Sequence, residues 1–180
     1  MQFSVDGFVA GPKEEMDWMV WNWDEELKKY VSDLTLSSDT CLVGRVLYHG
    51  MGAHWRAVPE GDENYPYAQL LNNFRKVVFS KGNPALDWDN SELAKGDLAG
   101  EVARVKALPG KDIITYGGAG FAAELVKQNL IDEYHIFINP AAIGRGLSIW
   151  KNLEGRMNLE LVESRSFACG IVVLFYRPKK

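Results

Sequence analysis

The stretch Ile113-Ile114-Thr115-Tyr116-Gly117-Gly118-Ala119-Gly120-Phe121 is the most informative part of the chain. It begins as a β-branched, strand-like run, passes through three glycines and enters a segment of helical spacing. Such a junction exposes backbone N–H groups, carries the positive end of the helix dipole and lets an anion approach without meeting a Cβ. The stretch therefore predicts an α/β fold with an anion site at these glycines. The alternative interpretation is a tight turn with close helix packing.

Two further predicted strand ends carry groups that suit a phosphate. Cys41-Leu42-Val43 ends at Gly44, and Arg45 follows at the start of the next short helix, where its guanidinium could grip a phosphate. Val77-Val78-Phe79 leads into Ser80 and Lys81, the hydroxyl and ammonium donors expected around a ribose 2′-phosphate. Because open α/β folds bind ligands at the carboxyl edge of a parallel sheet, the three ends together predict a nucleotide site.

Short β-branched runs alternate with segments of helical period, a pattern typical of βαβ units and a largely parallel sheet. Strands are predicted at 40–43, 76–80, 112–116 and 134–139, and an antiparallel hairpin at 158–164 and 171–176. Helices are predicted from Asp24 to about Leu36, from an N-cap at Asp97 to Pro109-Gly110, and from Phe121 to Asn129, the last completing a βαβ unit. Ala53 to Tyr67 shows neither period and is predicted to be a long loop.

Length and composition indicate one folded domain over residues 1–180. The hydrophobic fraction is 47% and the charged fraction 24%, both ordinary for a globular protein. The net charge of −4, with the basic residues scattered, argues against a nucleic acid or an anionic membrane as partner. No apolar run approaches the roughly 20 residues of a membrane span, and no signal peptide is recognisable, so a cytoplasmic location is expected.

The cysteines and histidines do not indicate a metal site or a disulfide. Cys41 and Cys169 lie far apart in strand-like contexts, and neither belongs to a C-x-x-C pair, so both are predicted to be reduced core residues. His49, His54 and His135 lack the spacing of metal ligands.

The order of several segments resembles the reductase domain of bifunctional riboflavin-biosynthesis proteins, which shares the dihydrofolate reductase fold. The segments are, in chain order, Ser4-Val5-Asp6-Gly7-Phe8-Val9-Ala10-Gly11, Val43-Gly44-Arg45, Val77-Val78-Phe79-Ser80-Lys81, Tyr116-Gly117-Gly118-Ala119-Gly120, Leu130-Ile131-Asp132-Glu133 and Pro140-Ala141-Ala142-Ile143-Gly144-Arg145-Gly146. The resemblance runs nearly end to end. It implies a three-layer α/β fold with a mostly parallel central sheet, helices on both faces and a C-terminal antiparallel hairpin.

The resemblance also implies that the fold binds NADPH. The nicotinamide would lie beside Val9 and Ala10, and Ser80 and Lys81 would select NADPH over NADH. The phosphate contacts would come from Gly44, Arg45, Gly117, Gly118, Ala119 and Gly120. Tyr116 and Phe121, which flank these glycines, would also belong to the cofactor site. The segment from Leu130 to Glu133 and the turn from Gly144 to Gly146 would be structural or part of a homodimer contact.

Three departures from the family pattern stand out. Leu47 occupies a position where the family usually has a threonine that donates to a cofactor phosphate. The first strand is short, because only Met1 to Val5 precede Asp6. No H-x-E and no P-C-x-x-C occurs, so the zinc deaminase half of the bifunctional proteins is absent.

Two acids are candidates for supplying the proton that hydride transfer to a C=N or C=O bond requires. Asp6 follows the first strand, and capping the turn at Gly7 is its alternative role. Glu26, with Trp21 before it and Tyr30 after it, resembles the substrate-binding helix of dihydrofolate reductases. The alternative for Glu26 is an exposed carboxylate that stabilises the helix dipole.

Aromatic residues suit a flat substrate. Trp21, Tyr30 and Trp55, together with Trp18 and Trp23, are candidates for stacking on a heteroaromatic ring, with core or lid packing as the alternative.

The preferred hypothesis is an NADPH-dependent reductase of a small pteridine- or pyrimidine-like compound. The activity that the resemblance implies is reduction of the ribosylamino-pyrimidine intermediate of riboflavin synthesis. Two alternatives stay open: a non-catalytic NADP(H)-binding protein that retains the fold and the dimer, and a purely structural protein that binds no nucleotide.

Overall fold

The computed structural model describes residues 1–179. The elements in chain order are β1 (Gln2–Phe3), α1 (Glu25–Leu36), β2 (Ser38–Gly44), α2 (Arg45–Arg56), α3 (Tyr65–Asn73), β3 (Arg75–Phe79), β4 (Ser91–Leu93), α4 (Leu98–Lys106), β5 (Asp112–Ile114), α5 (Ala119–Lys127), β6 (Tyr134–Ile138), β7 (Leu159–Ser166) and β8 (Val172–Pro178). The chain divides into two compact units. The central unit is Tyr30–Phe121, and the terminal unit combines Met1–Lys29 with the chain from Ala122 onward.

The central unit contains a four-stranded sheet in the order β4-β3-β2-β5, in which every neighbouring pair is parallel. Its middle strands are β-branched and apolar, and Val43, Val77 and Val78 are fully buried. Runs of this kind are typical of parallel strands that are covered on both faces. The predicted parallel sheet is therefore confirmed.

The terminal unit contains a mixed sheet in the order β1-β6-β8-β7. The two-residue β1 runs parallel to β6, and the remaining pairs are antiparallel. The turn between β7 and β8 closes with the Phe167 amide donating to the Ile171 carbonyl oxygen at 2.9 Å, and Gly170 has a φ of 92°. Glycine is the residue that tolerates this left-handed conformation. Both the C-terminal hairpin and the short first strand are confirmed.

Hydrogen bonding divides the strands into two four-stranded sheets rather than one central sheet. The strands that flank α5 belong to different sheets, β5 to the central unit and β6 to the terminal unit. The predicted βαβ unit therefore does not close within one sheet, because each of these strands hydrogen-bonds to other neighbours.

The predicted long loop from Ala53 to Tyr67 is wrong at both ends. The helix α2 continues to Arg56, and α3 begins at Tyr65, so the connecting segment spans only residues 57–64. Proline misled the prediction, because Pro66 occupies the first turn of α3, where its fixed φ favours a helix start. The strand β4 also escaped prediction, since three residues are too few to show a period.

The two cysteines have different environments. Cys41 is a free thiol buried on β2, as predicted. Cys169 is also free, but it lies in the β7–β8 turn and is half-buried, so its prediction as a core residue is wrong. None of the described helices is both long and apolar enough to span a bilayer.

Candidate functional site

The glycine-rich segment after β5 leaves the backbone open at the carboxyl edge of the parallel sheet. Gly117 is buried and has a φ of 111°, a conformation that excludes most side chains. A Cβ added at Gly118 or Gly120 would meet no atom within 4 Å. The helix α5 begins at Ala119, so its first N–H groups lie in this open stretch. These features are the open backbone that an anion site needs, and the anion site itself stays a prediction.

The helix α2 begins at the same edge in a similar way. Gly44 is its N-cap and provides no side-chain hydrogen bond, and neither α2 nor α5 has an acidic residue in its first turn. By contrast, the Asp24 carboxylate caps α1 by accepting from the Leu27 amide at 2.9 Å, and Asp97 caps α4. A helix start without a carboxylate keeps its positive dipole end available to an anion.

Phe121 connects the strand ends of this edge. Its ring packs against that of Phe79, with the centroids 4.9 Å apart. A Cβ added at Gly44 would lie 3.1 Å from the Cβ of Phe121, so a side chain there would require Phe121 to shift slightly. The ends of β2, β3 and β5 are therefore held together, as predicted, and the Phe121 side chain serves as packing between them.

The polar side chains predicted for this edge are accessible. Arg45 and Lys81 are exposed, and neither forms an ion pair with another residue in 1–179. The Ser80 hydroxyl accepts a hydrogen bond from the Gly82 amide at 3.2 Å, which fixes the turn after β3. Two cations and the two helix starts give this edge a positive character that suits phosphate groups.

The Tyr116 hydroxyl is directed away from the backbone of the glycine segment. It lies 3.3 Å from the Tyr67 hydroxyl and 3.4 Å from the Thr35 hydroxyl. Burial raises the pKa of Tyr116, so the phenol stays protonated at neutral pH. The Tyr116 side chain therefore anchors the start of the glycine segment to α1 and α3, while its backbone remains part of the edge.

One aromatic candidate of the central unit, Trp55, packs against a member of this hydroxyl cluster. The Trp55 ring packs edge-on against the Tyr67 ring, with the centroids 5.1 Å apart. Tyr30 is half-buried on α1. Sequence reasoning missed Tyr67 and Thr35, because Tyr67 fell in the predicted loop and Thr35 occupies an ordinary helix position. Leu47, in place of the usual threonine, packs against the apolar core of this unit.

In the terminal unit, Asp6 has the hydrogen bonds of a structural carboxylate. It accepts from the Ser4 hydroxyl at 2.6 Å, the Gly144 amide at 2.7 Å and the Ile143 amide at 3.2 Å. The Ser4 hydroxyl and these amides lower the pKa of Asp6, so it is ionised at neutral pH and has no proton to donate. The geometry favours a turn-stabilising role, with the 143–144 backbone as partner rather than Gly7.

Val9 and Ala10 lie in the interior of the same unit. The Val9 amide donates to the Leu147 carbonyl, and the Leu147 amide donates to the Ala10 carbonyl, both at 2.8 Å. A Cβ at Gly146 would overlap the Ala10 carbonyl oxygen, so only glycine fits there. The Gly144–Gly146 turn thus holds the 6–10 segment in place, which agrees with its predicted structural role.

Glu26 and Trp21 are both exposed. A Glu26 carboxylate oxygen lies 3.5 Å from an Arg165 guanidinium nitrogen. Trp21 stacks on Trp23, with ring centroids 6.2 Å apart. Sequence reasoning missed Asp24, whose carboxylate also accepts from the Cys169 amide at 3.0 Å and joins α1 to the hairpin turn. The residue pattern predicted the helix start there but not this distant partner.

A cavity of about 570 Å³ lies at the opposite, amino edge of the parallel sheet, lined among others by Asp39, Arg75, Glu92 and Lys111. Its polar groups are already paired. Asp39 accepts from the Lys111 amide at 2.8 Å, and Arg75 forms an ion pair with Glu92 at 3.4 Å. Within residues 1–179, no three His, Cys, Asp or Glu side chains are grouped to hold a metal ion.

A parallel sheet with glycine-containing strand ends and carboxylate-free helix starts places the central unit in the α/β class, in which this edge is the usual position of ligand sites. The family model for the RibD C-terminal domain matches residues 1–173, and the chain belongs to this family.

Two uncharacterized Bacillus subtilis (strain 168) proteins are similar to this chain. YyaP is 28% identical over 173 residues, which are 96% of this chain and 89% of YyaP. YwjB is 22% identical over 174 residues, covering 97% and 93% of the two chains.

Solved structures confirm the dihydrofolate reductase-like α/β fold. A putative riboflavin biosynthesis protein from Shewanella sp. PV-4 is similar, with a TM-score of 0.74, 20% identity and coverage of 100% of this chain and 97% of that one. A diaminohydroxyphosphoribosylaminopyrimidine deaminase/5-amino-6-(5-phosphoribosylamino)uracil reductase from Thermotoga maritima has a TM-score of 0.69 and 17% identity, covering 99% of this chain. This chain spans 55% of that bifunctional protein.

Proposed function

We propose that this protein is an NADPH-dependent reductase of a small pteridine- or pyrimidine-like compound, similar to the 5-amino-6-(5-phosphoribosylamino)uracil reductases. The observation that carries the proposal is the carboxyl edge of the central unit, where α2 and α5 both start without a carboxylate. Membership of the RibD C-terminal domain family supports the reductase class. The structural likeness to the Thermotoga maritima deaminase/reductase suggests the substrate class.

The residues of the carboxyl edge fit a dinucleotide with several phosphates. The open backbone at Gly118 and Gly120 would let N–H groups at the start of α5 donate to phosphate oxygens. Arg45 would donate to phosphate oxygens at the start of α2. Ser80 and Lys81 would bind the 2′-phosphate and so prefer NADPH to NADH. In the terminal unit, Val9 and Ala10 would bind the nicotinamide. NADPH supplies the hydride when bound.

The proton would come from Glu26 or from water. Asp6 is poorly suited, because its pKa is lowered by the Ser4 hydroxyl and two backbone amides. Glu26 is exposed to solvent, and Trp21, Tyr30 and Trp55 would supply flat surfaces for a heteroaromatic ring. A homodimer and a cytoplasmic location complete the proposal.

The proposal is tested by titrating the protein with NADPH and, separately, with NADH, following tryptophan quenching and energy transfer to the nicotinamide. We expect NADH to bind at least about tenfold more weakly. Gly118→Asp places a carboxylate in the anion site and should weaken NADPH binding about a hundredfold or more. The matched control is Gly118→Ala, which fills the same open space without charge and should stay within about threefold of the wild type.

Equal NADPH affinity in Gly118→Asp and in the wild type would overturn the cofactor site. Absence of binding to both nucleotides in the wild type would overturn the reductase assignment.

A second candidate is an NADP(H)-binding protein without turnover. Leu47, which packs into the core where the family has a phosphate-binding threonine, favours it. The two candidates differ in one measurement, NADPH oxidation with a panel of pterins, flavin precursors and quinones. Steady consumption with any of them identifies a reductase, whereas saturable binding without consumption identifies the non-catalytic protein.

A further inference from the structure

The strand β7 is a long strand at the edge of a sheet. It has eight residues and lies last in the order β1-β6-β8-β7, so one of its sides has no strand partner within residues 1–179. The strands at the other ends of the two sheets, β1, β4 and β5, have only two or three residues. Proteins shorten or cover edge strands because a free row of N–H and C=O groups recruits another strand. The edge at β7 is not shortened.

The side chains of β7 are exposed on both faces. Leu159 is half-buried and all later residues of the strand are exposed, with Leu161 and Val162 keeping 51% and 46% of their surface accessible. The pairing with β8 is irregular between Leu161 and Glu163, which leaves Glu163–Ser166 as the regular part of the edge. This part contains no proline, so each residue whose backbone faces the open side keeps an amide donor for a new strand pair.

The backbone of Ser164 faces outward. The Phe167 amide donates to Ile171, and the Phe167 carbonyl accepts from Gly170, so the backbone groups of Phe167 face β8. Because these directions alternate along a strand, the amide and carbonyl of Ser166 and Ser164 lie on the open side. Ser164 can therefore exchange two hydrogen bonds with Ser164 of a second copy across a two-fold axis.

The charges on β7 select the same register. When two copies pair antiparallel about Ser164, Glu163 of each lies directly opposite Arg165 of the other, which gives two ion pairs. Registers centred on Glu163 or on Arg165 would instead place two like charges opposite each other. The strand is thus self-complementary in one register, as an isologous dimer interface requires.

We propose that β7 pairs antiparallel with β7 of a second copy about Ser164, which joins the two mixed sheets into one eight-stranded sheet. The inference rests on the homodimer of the proposed function and adds its surface, which differs from the Leu130–Glu133 and Gly144–Gly146 segments. Arg165 also approaches Glu26 of its own chain at 3.5 Å and its side chain is 44% exposed, so its guanidinium keeps further donors for Glu163 of the second copy.

The test is sedimentation equilibrium of the full chain across a concentration series. Glu163→Arg and Arg165→Glu, each alone, should raise the dimer dissociation constant about tenfold or more, because each puts like charges in both pairs. The double variant Glu163→Arg/Arg165→Glu exchanges the charges and should return to within about threefold of the wild type. Lys151→Glu, an exposed charge reversal outside β7, should leave the constant unchanged.

The outcomes separate the interface from the dimer itself. A wild-type dimer that neither single variant weakens would overturn the β7 interface and leave the homodimer standing. A wild type that is monomeric at every concentration would overturn both. NADPH titration of the same variants is independent of either result, since β7 lies outside the proposed phosphate site.

Discussion

The two edges of the parallel sheet in the central unit differ in how their polar groups are satisfied. At the amino edge, Asp39 accepts the Lys111 amide and Arg75 pairs with Glu92, around a cavity of about 570 Å³. At the carboxyl edge, the N–H groups at the starts of α2 and α5 have no carboxylate, and Arg45 is exposed. The cavity thus has its charges paired internally, whereas the glycine edge keeps donors for a ligand. Unused donors locate the candidate site better than volume does.

Removing charged side chains from each edge tests this difference directly and should give the largest effect among the side-chain truncations. The double variant Arg45→Ala/Lys81→Ala lacks the two cations of the carboxyl edge. It should bind NADPH about 10- to 100-fold more weakly, because each substitution removes a charged donor to phosphate. The matched control, Arg75→Ala/Lys111→Ala, removes two cations from the amino edge and should change the affinity less than about twofold. Fluorescence titration measures both. A larger loss in the control than in the first variant would move the nucleotide to the amino-edge cavity.

Sequence reasoning could predict the carboxyl edge because its signals are local. A β-branched run followed by glycines and a helical period lies within a single stretch of residues 113–121, and the same holds for Gly44 and Arg45. Phe121, by contrast, was predicted to bind the cofactor, but its ring packs on Phe79, a contact between residues 42 positions apart. The direction in which a side chain points depends on such distant partners, which a local pattern does not identify.

No local sequence pattern predicted the contacts at the amino edge or those of the buried polar residue Lys76. Lys76 has the sequence context of a routine strand residue, yet it is 1% exposed, and its ammonium donates to the Asp89 carbonyl at 2.9 Å. The same ammonium lies 4.4 Å from the centroid of the Trp88 ring. These partners come from a segment without regular structure. The division of strands between two sheets was equally hidden, because a strand's period does not identify its neighbour.

The buried Lys76 allows a test of whether charged groups outside the carboxyl edge have their partners within the protein. Burial lowers the pKa of Lys76 to about 8. The unfolded chain, with a lysine pKa of about 10.4, therefore binds more protons at this residue than the folded protein between these values, so the contribution of Lys76 to the stability should rise with pH from about 8 to 10.4. The expected gain is about 1–3 kcal/mol.

Urea unfolding across this pH range measures the effect in the wild type and in Lys76→Met. The variant should lose the rise between about pH 8 and 10.4, since methionine does not titrate. Lys81→Met is the matched control, because Lys81 is exposed just after the same strand and its replacement should keep the rise. Burial also raises the pKa of the Cys41 thiol to about 12, which gives an opposite slope above about pH 8.5. The rise is therefore measured as the wild-type stability minus that of Lys76→Met, and a difference that stays flat over this range would contradict the burial of the charge.

The smallest expected effect separates the backbone of the carboxyl edge from its side chains. Tyr116→Phe removes a hydroxyl that contacts Tyr67 and Thr35, and leaves the glycine backbone unchanged. It should lower the free energy of unfolding by about 0.5–1.5 kcal/mol, and it should change the NADPH affinity less than about threefold. Tyr67→Phe removes the opposite member of the same pair and should match it in stability.

The comparison between these two measurements decides what Tyr116 does. If the phenol only anchors the segment, unfolding shifts while nucleotide titration does not. A loss of NADPH affinity greater than about tenfold in Tyr116→Phe, with Tyr67→Phe unaffected, would mean that the hydroxyl turns toward the cofactor. The contacts of this hydroxyl with Tyr67 and Thr35 favour the anchoring role, because glycine at position 117 permits its φ of 111° but does not hold the backbone there.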